Sequence, residues 1–292
     1  MRVEKAALLA LLCLVGAIFG VLFVRALRTN ARASGVASVA PRPLHLVVGL
    51  VTDFLDTLGI GSFATTTTAF RLGRLVDDRV VPGTLNVGHA LPTIVQALIY
   101  ITIVRVEMTT LVVMIGAAVG GSMLGSSVVS LWPRRVVRFS VGGALVVASV
   151  VMLENARGAL PAGGDALSLE GERLAVGALV NFALGALMTA GVGLYGPCMI
   201  LVSLLGMSPT AAFPIMMGSC AFLMPAASVQ FVRRGAFDAR AAVGLAIGGI
   251  PGVLVAAFIV ESLPLAAARW LVLVAASYAA ITLLVAAIRN AE

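Results

Sequence analysis

Thr57-Leu58-Gly59-Ile60-Gly61 and Thr189-Ala190-Gly191-Val192-Gly193 are two forms of one pentapeptide, set 132 residues apart in a chain of 292. Each separates two apolar runs, 44–58 and 62–72 around the first, 174–190 and 195–205 around the second. At 1.5 Å per helical residue these runs span only about 16 to 26 Å, short of the roughly 30 Å hydrocarbon layer. Each pair is therefore expected to form a helical hairpin, re-entrant or narrowly spanning, with its glycine loop inside the protein.

Outward from these loops the correspondence continues. Gly83-Thr84 answers Gly218-Ser219, Ile115-Gly116 answers Ile247-Gly248, and Pro133 with Arg138 answers Pro264 with Arg269, at offsets of 131 to 135. Each copy reads as a glycine-loop hairpin followed by three transmembrane helices. That is an odd number of net crossings, so the second copy enters the membrane inverted. The expected fold is an all-α membrane protein of two inverted-topology repeats, 44–155 and 172–290, after an N-terminal transmembrane helix and cytoplasmic linker at 1–43. In secondary transporters such repeats bring broken helices together near the midplane.

Composition demands a lipid solvent. Hydrophobic residues make up 60% of the chain and charged ones 11%, and the mean hydropathy is +1.08, which excludes a soluble domain with a solvated surface. The net charge of +7 comes from 19 Arg and one Lys placed at the ends of apolar runs, a pattern of topology determinants and not of nucleic-acid binding. Arg28, Arg32, Arg42, Arg71, Arg74, Arg79, Arg134, Arg135, Arg138, Arg233, Arg234, Arg240 and Arg289 fall on one side, which the positive-inside rule makes cytoplasmic. The N-terminus is then outside and the C-terminus inside. The first apolar run, 6–24, reads as an uncleaved helix, because Arg25 stands where a small-residue cleavage site is wanted. Cys13, Cys198 and Cys220 lie inside apolar runs and read as small core residues, with no metal spacing and no disulfide framework.

Non-helical backbone at membrane depth must be buried in protein or line a wet cavity. The two loops are therefore the expected cavity walls, and helices restarting at Ser62 and around Gly196 and Pro197 point free N–H groups and a positive dipole end into it. The substrate-binding candidates are Thr57, Gly59, Gly61, Ser62, Thr65, Asn86, His89, Thr189, Gly191, Gly193, Tyr195 and Ser219. Asn86, His89 and Gln96 share one helical face, and Asn181 is a similar candidate in the second copy. Asp53 and Asp56, one turn apart beside the first loop, are the proton-coupling candidates, since ionisable residues at that depth are functional by default. No catalytic residue, metal site or cofactor is expected: HExxH, GxSxG and clustered His, Cys and carboxylates are absent from the sequence.

These residues resemble the TauE/SafE family of sulfite and organosulfonate exporters. The similarity covers about 44–288 and rests on the twin hairpins around Gly59-Ile60-Gly61 and Gly191-Val192-Gly193, on Gly83-Thr84 and Gly218-Ser219, and on Gly248-Gly249-Ile250-Pro251-Gly252 before Leu263-Pro264. The resemblance implies a bacterial inner-membrane exporter of sulfite, sulfoacetate, sulfolactate, thiosulfate or a related small anion, working by alternating access. Partners implied are that sulfur anion, the lipid bilayer and protons; a homodimer is compatible, and no nucleic acid is involved. The chain departs from the family's glycine-rich first loop, which here reads Ser62-Phe63-Ala64 followed by Thr65 to Thr68. An anion channel or a non-transporting membrane subunit is the alternative.

Overall fold

The computed structural model describes residues 2–33, 40–129, isolated helical positions between 135 and 153, 164–188, 193–261 and 265–289. Its elements are α1 (Arg2–Ala33), α2 (Pro43–Thr57), α3 (Ser62–Gly73), α4 (Val81–Ile103), α5 (Met108–Val129), α6 (Gly171–Met188), α7 (Tyr195–Leu204), a short 3-10 turn (Pro209–Ala211), α8 (Ala212–Arg233), α9 (Ala239–Glu261) and α10 (Leu265–Arg289). No strand occurs among the described residues; one isolated bridge joins Ala166 and Met207. Five helices, Val3–Thr29, Val81–Ile103, Gly171–Met188, Pro209–Arg233 and Ala239–Ile259, are long and apolar enough to cross a membrane. The protein is thus an all-α, multi-pass membrane protein. The expected helix at 136–153, with Pro133, Arg138 and Pro264, falls largely outside the described residues.

The short arms are as short as their sequence requires. Fifteen residues in α2, twelve in α3 and ten in α7 give rises of about 22, 18 and 15 Å. Each second arm ends in the same device. After α3, the Arg74 amide donates to Arg71 O and that of Leu75 to Phe70 O; after α7, the Gly206 amide donates to Ser203 O and that of Met207 to Val202 O. Both stops need a left-handed residue, Gly206 at φ 87° and, at some cost for a side chain, Arg74 at φ 47°. The long helices α4, α8 and α9 carry internal prolines at Pro92, Pro225 and Pro251. Each removes one backbone donor from its helix.

The chain divides into two compact units that cut across sequence order. The first comprises Met1–Thr57, Ser62–Ile99 and Cys220–Ile259, hence α1, α2, α3, most of α4, the larger part of α8, and nearly all of α9. Here α9 lies against α2 with glycine as the spacer. A Cβ at Gly248 would collide with Leu46 O, one at Gly252 with Leu50 O, and one at Gly244 with His45; in return, one at Gly49 would meet the Leu245 backbone. Small residues at four-residue spacing permit such backbone approach in a membrane helix pair. Phe70, Val48, Val81, Leu85, Ala241 and Leu245 form the core below it.

The second unit comprises Leu58–Gly61, Tyr100–Ser219 and Val260–Glu292. Here α5 lies against α6 in the same manner: a Cβ at Gly121 would collide with Phe182 O, and one at Gly185 with Ala118 O. Tyr100 and Phe213 stack at 5.2 Å in its interior. The tip of the first hairpin belongs to this unit. Gly59 takes φ 90° and Gly61 φ 86°, and a Cβ on Gly59 would strike the Met199 sulfur on α7. Only glycine satisfies both the left-handed backbone and the contact.

Candidate functional site

The first unit holds a set of polar side chains sealed from solvent. Asp53, Asp56, Thr57, Ser62, Thr66, His89 and Gln96 are each between 0 and 4% exposed. Asp53 and Asp56 close the last turn of α2, where three-residue spacing leaves them on neighbouring faces. His89 and Gln96 stand seven residues apart on α4, two turns along one face, with buried Thr93 between them.

Two linked chains of hydrogen bonds result. In one, His89 Nδ1 lies 2.9 Å from both Oδ1 and Oδ2 of Asp53, while its Nε2 lies 2.9 Å from Thr66 Oγ1. A carboxylate accepts and does not donate, so Nδ1 carries the hydrogen. In the other, Asp56 Oδ1 receives the backbone N–H of Ser62, and its Oδ2 receives Gln96 Nε2 at 2.9 Å. Gln96 Nε2 also donates to Thr57 Oγ1 at 2.9 Å, and that hydroxyl donates to Asp53 O at 2.7 Å, joining the two chains. The Gln96 nitrogen faces Asp56 because only a donor is tolerated there.

Asp56 thus fills the place where an anion was expected: its carboxylate meets the first amide of α3 and complements the positive dipole end. Asp53 is positioned otherwise. It reaches toward α9 at Gly249, where a Cβ would collide with Asp53 Oδ2 and press on Pro92. The missing side chain makes room for the carboxylate, and the α9 backbone covers it.

The other expected residues have separate placements. Asn86 is half-buried and turns its amide back to Pro82 O at 2.9 Å, away from this network although it shares His89's face by periodicity. Thr65 Oγ1 bonds Ser62 O at 2.9 Å, and Ser219 Oγ bonds Ile215 O at 2.7 Å, each within its own helix. In the second unit Gly59 and Gly61 form the first hairpin's tip, Tyr195 is buried at the start of α7, and Gly193 is exposed with open space at its Cα. Thr189 and Gly191 lie outside the described residues. Asn181 is fully buried and donates to Met114 O at 2.7 Å. Thr66 and Gly249 were not singled out by sequence reasoning. Thr66 is one of four consecutive threonines, and only its burial against α4 distinguishes it.

No group of three or more His, Cys, Asp or Glu with metal-holding geometry occurs among the described residues. The order Thr66–His89–Asp53 is also that of a hydrolase triad. All three members are fully enclosed, however, and acyl transfer needs an access path and an oxyanion site beside the hydroxyl. A carboxylate facing an imidazole, with a hydroxyl on the far nitrogen, is a set of groups able to hold a proton. No family model, curated protein or solved structure matches the chain.

Proposed function

We propose that the protein is a secondary transporter of small sulfur-containing anions, working by alternating access between two inverted repeats in a bacterial inner membrane. The single observation that carries this reading is the buried network of Asp53, Asp56, His89 and Gln96 at the end of an interrupted helix. Ionisable residues in a membrane helix are expensive, and where they persist they serve substrate or ion movement. The anion class, sulfite or an organosulfonate, and the exporter direction come from the TauE/SafE resemblance of the two glycine loops.

The repeat reading is supported by paired details. The Leu46/Gly248 and Phe182/Gly121 approaches, and the Gly49/Leu245 and Gly185/Ala118 approaches, match when α2 is shifted by 136 positions onto α6 and α5 by 127 onto α9, so by packing Gly248 answers Gly121 and not, as the sequence offset has it, Gly116. Pro92 and Pro225 correspond, as do the Thr84 to Val80 and Ser219 to Ile215 bonds and the twin stops after α3 and α7. Glu107 receives the Thr110 amide at the start of α5, as Asp238 receives that of Ala241 at the start of α9. On this reading each compact unit joins the hairpin of one repeat to the fourth element of the other, so the segments 44–155 and 172–290 interlock.

The orientation, N-terminus outside and C-terminus inside, follows from the arginine distribution. Binding is tested with purified protein and a panel of sulfite, sulfoacetate, thiosulfate and simple carboxylates, read as thermal stabilisation. A cognate anion at a hundredfold excess over its Kd should stabilise by about 2.7 kcal/mol. Equal response to every anion, or to none, would remove the assigned substrate class.

A further inference from the structure

Two carboxylates stand one turn apart in the site, and their surroundings separate their tasks. Asp56 has an N–H donor on each oxygen, one from the Ser62 backbone and one from Gln96, so its charged form is the better served of the two. Asp53 has two oxygens sharing a single donor, His89 Nδ1, equidistant from both. Its carboxylate thus has fewer donors than Asp56 in a space that no solvent reaches. On its far side His89 Nε2 is bonded to Thr66, a hydroxyl that can accept from Nε2–H or donate to bare Nε2. The imidazole can therefore carry a hydrogen on one nitrogen or on both without losing a partner.

We propose that Asp53 and His89 together form the proton-carrying site of the protein, while Asp56 remains an unprotonated cap of α3, and that α9 at Gly249 is the cover that opens to admit the proton. Taking up one proton changes the pair from a carboxylate with neutral imidazole, net charge −1, to net charge zero. The proton rests on Asp53 or as the second N–H of His89, and its release reverses the step with nothing else consumed. The groups against the pair are Phe63 and Thr66 on α3, Pro92 on α4 and Gly249 on α9, with Asp56 one turn on along its own helix. Asp56 is the only further titratable group facing it among the described residues. The neutralised pair removes one buried negative charge, which is what a cycle that moves an anion past it requires. This deepens the transport reading and rests on it for its purpose, but not for its test.

The cover is specific. Gly249 stands where a methyl group would displace the Asp53 carboxylate, so α9 must withdraw from α2 before water reaches Asp53. The glycine-spaced α2–α9 contact has no interlocking side chains at Gly244, Gly248 and Gly252 to resist that separation.

The experiment is a pH titration of the purified, anion-free protein by infrared difference spectroscopy of the protonated-carboxyl stretch, for wild type, Asp53→Asn, Asp56→Asn, His89→Gln and Gly249→Ala. The expected result is one buried carboxyl band titrating between about pH 4 and pH 9 in wild type. That band is lost in Asp53→Asn, retained in Asp56→Asn, and moved in midpoint by at least about one pH unit in both His89→Gln and Gly249→Ala. A band that survives Asp53→Asn, or that vanishes in Asp56→Asn alone, overturns the assignment, as does a wild type with no titrating band. Because no anion is present, a failed anion-binding panel beside an intact Asp53 band would overturn the transport reading and leave the proton site standing.

Discussion

The first hairpin and the second share a loop pattern and a helix stop, yet they differ in what they bury. The α2–α3 pair carries Asp53, Asp56, Thr57, Ser62 and Thr66 into the interior, whereas α7 buries Tyr195, Cys198, Met199, Ile200 and Val202. The difference in length is instructive. Gly49 and Thr57 are eight residues apart, but their counterparts Gly185 and Thr189 are four apart, Gly49 and Gly185 being matched by packing and Thr57 and Thr189 by sequence. The stretch between these two landmarks is thus four residues longer in the first hairpin, and Asp53 and Asp56 lie within it. On the repeat reading proposed above, the glycine contacts belong to the shared frame and the two carboxylates to the first hairpin.

The severest way to break that comparison is to remove the charge from one side of the enclosed pair. Asp53→Ala leaves His89 without its partner in a sealed site and should cost about 3–5 kcal/mol, read as a lowered unfolding midpoint in detergent. Cys198→Ala, in the buried α7 of the second hairpin, removes no charge and should cost about 1 kcal/mol. A loss at Cys198 as large as that at Asp53 would erase the asymmetry.

The shared frame is probed by the glycine contacts. Gly248→Val and Gly185→Val each drive a side chain into a facing carbonyl, and each should cost about 1–3 kcal/mol. Similar losses for both would sharpen the equivalence of the two helix pairs; tolerance of one would break it.

A smaller effect is expected at the caps. Glu107 in the loop before α5 accepts from the amides of Thr109 and Thr110 at 2.7 Å. Partial burial alone would raise its carboxyl, but these bonds outweigh it and hold the pKa down to about 2, from an ordinary 4.5. Its folded pKa is the lower one, so its contribution is complete above about pH 4.5 and is lost as pH falls through 2. Glu107→Gln should remove that part of the acid dependence at a cost of about 1 kcal/mol, visible as a flatter stability profile between those pH values. Asp238→Asn should cost a comparable amount.

The least effect concerns the helix stops. Arg74→Gly relieves a side chain held at φ 47° and should be neutral or stabilising by up to about 1 kcal/mol. Gly206→Arg, at φ 87°, should destabilise by about 1–2 kcal/mol. Chemical or thermal unfolding of the two single variants reads the contrast directly.

Much of the fold is legible in the residues because a glycine bend in an apolar run is a strong local signal. The expected arms 44–58, 62–72 and 195–205 lie within a residue or two of Pro43–Thr57, Ser62–Gly73 and Tyr195–Leu204. The division into units is not legible, since it depends on which glycine face meets which carbonyl, and α4 and α8 each pass from one unit to the other. Within the site, Asp53, Asp56 and His89 stand out by charge alone. Their pairing does not, because three-residue and seven-residue spacings on separate helices cannot say which helices touch. Asn86 illustrates the limit: periodicity places it on His89's face, but Pro82 O, four residues back, takes its amide. Gly249 enters the sequence reading only within the stretch from Gly248 to Gly252, and its place against Asp53 depends on which faces of α2 and α9 meet.

The central claim is that this helical protein carries a small sulfur anion through a site that alternates between the two sides of the membrane. Its most direct test is radiolabelled sulfite uptake into proteoliposomes with and without unlabelled sulfite trapped inside. The account predicts saturable uptake that is accelerated several-fold by the trapped anion. Uptake that rises linearly with concentration and ignores the internal sulfite, or that equals protein-free vesicles, would contradict it.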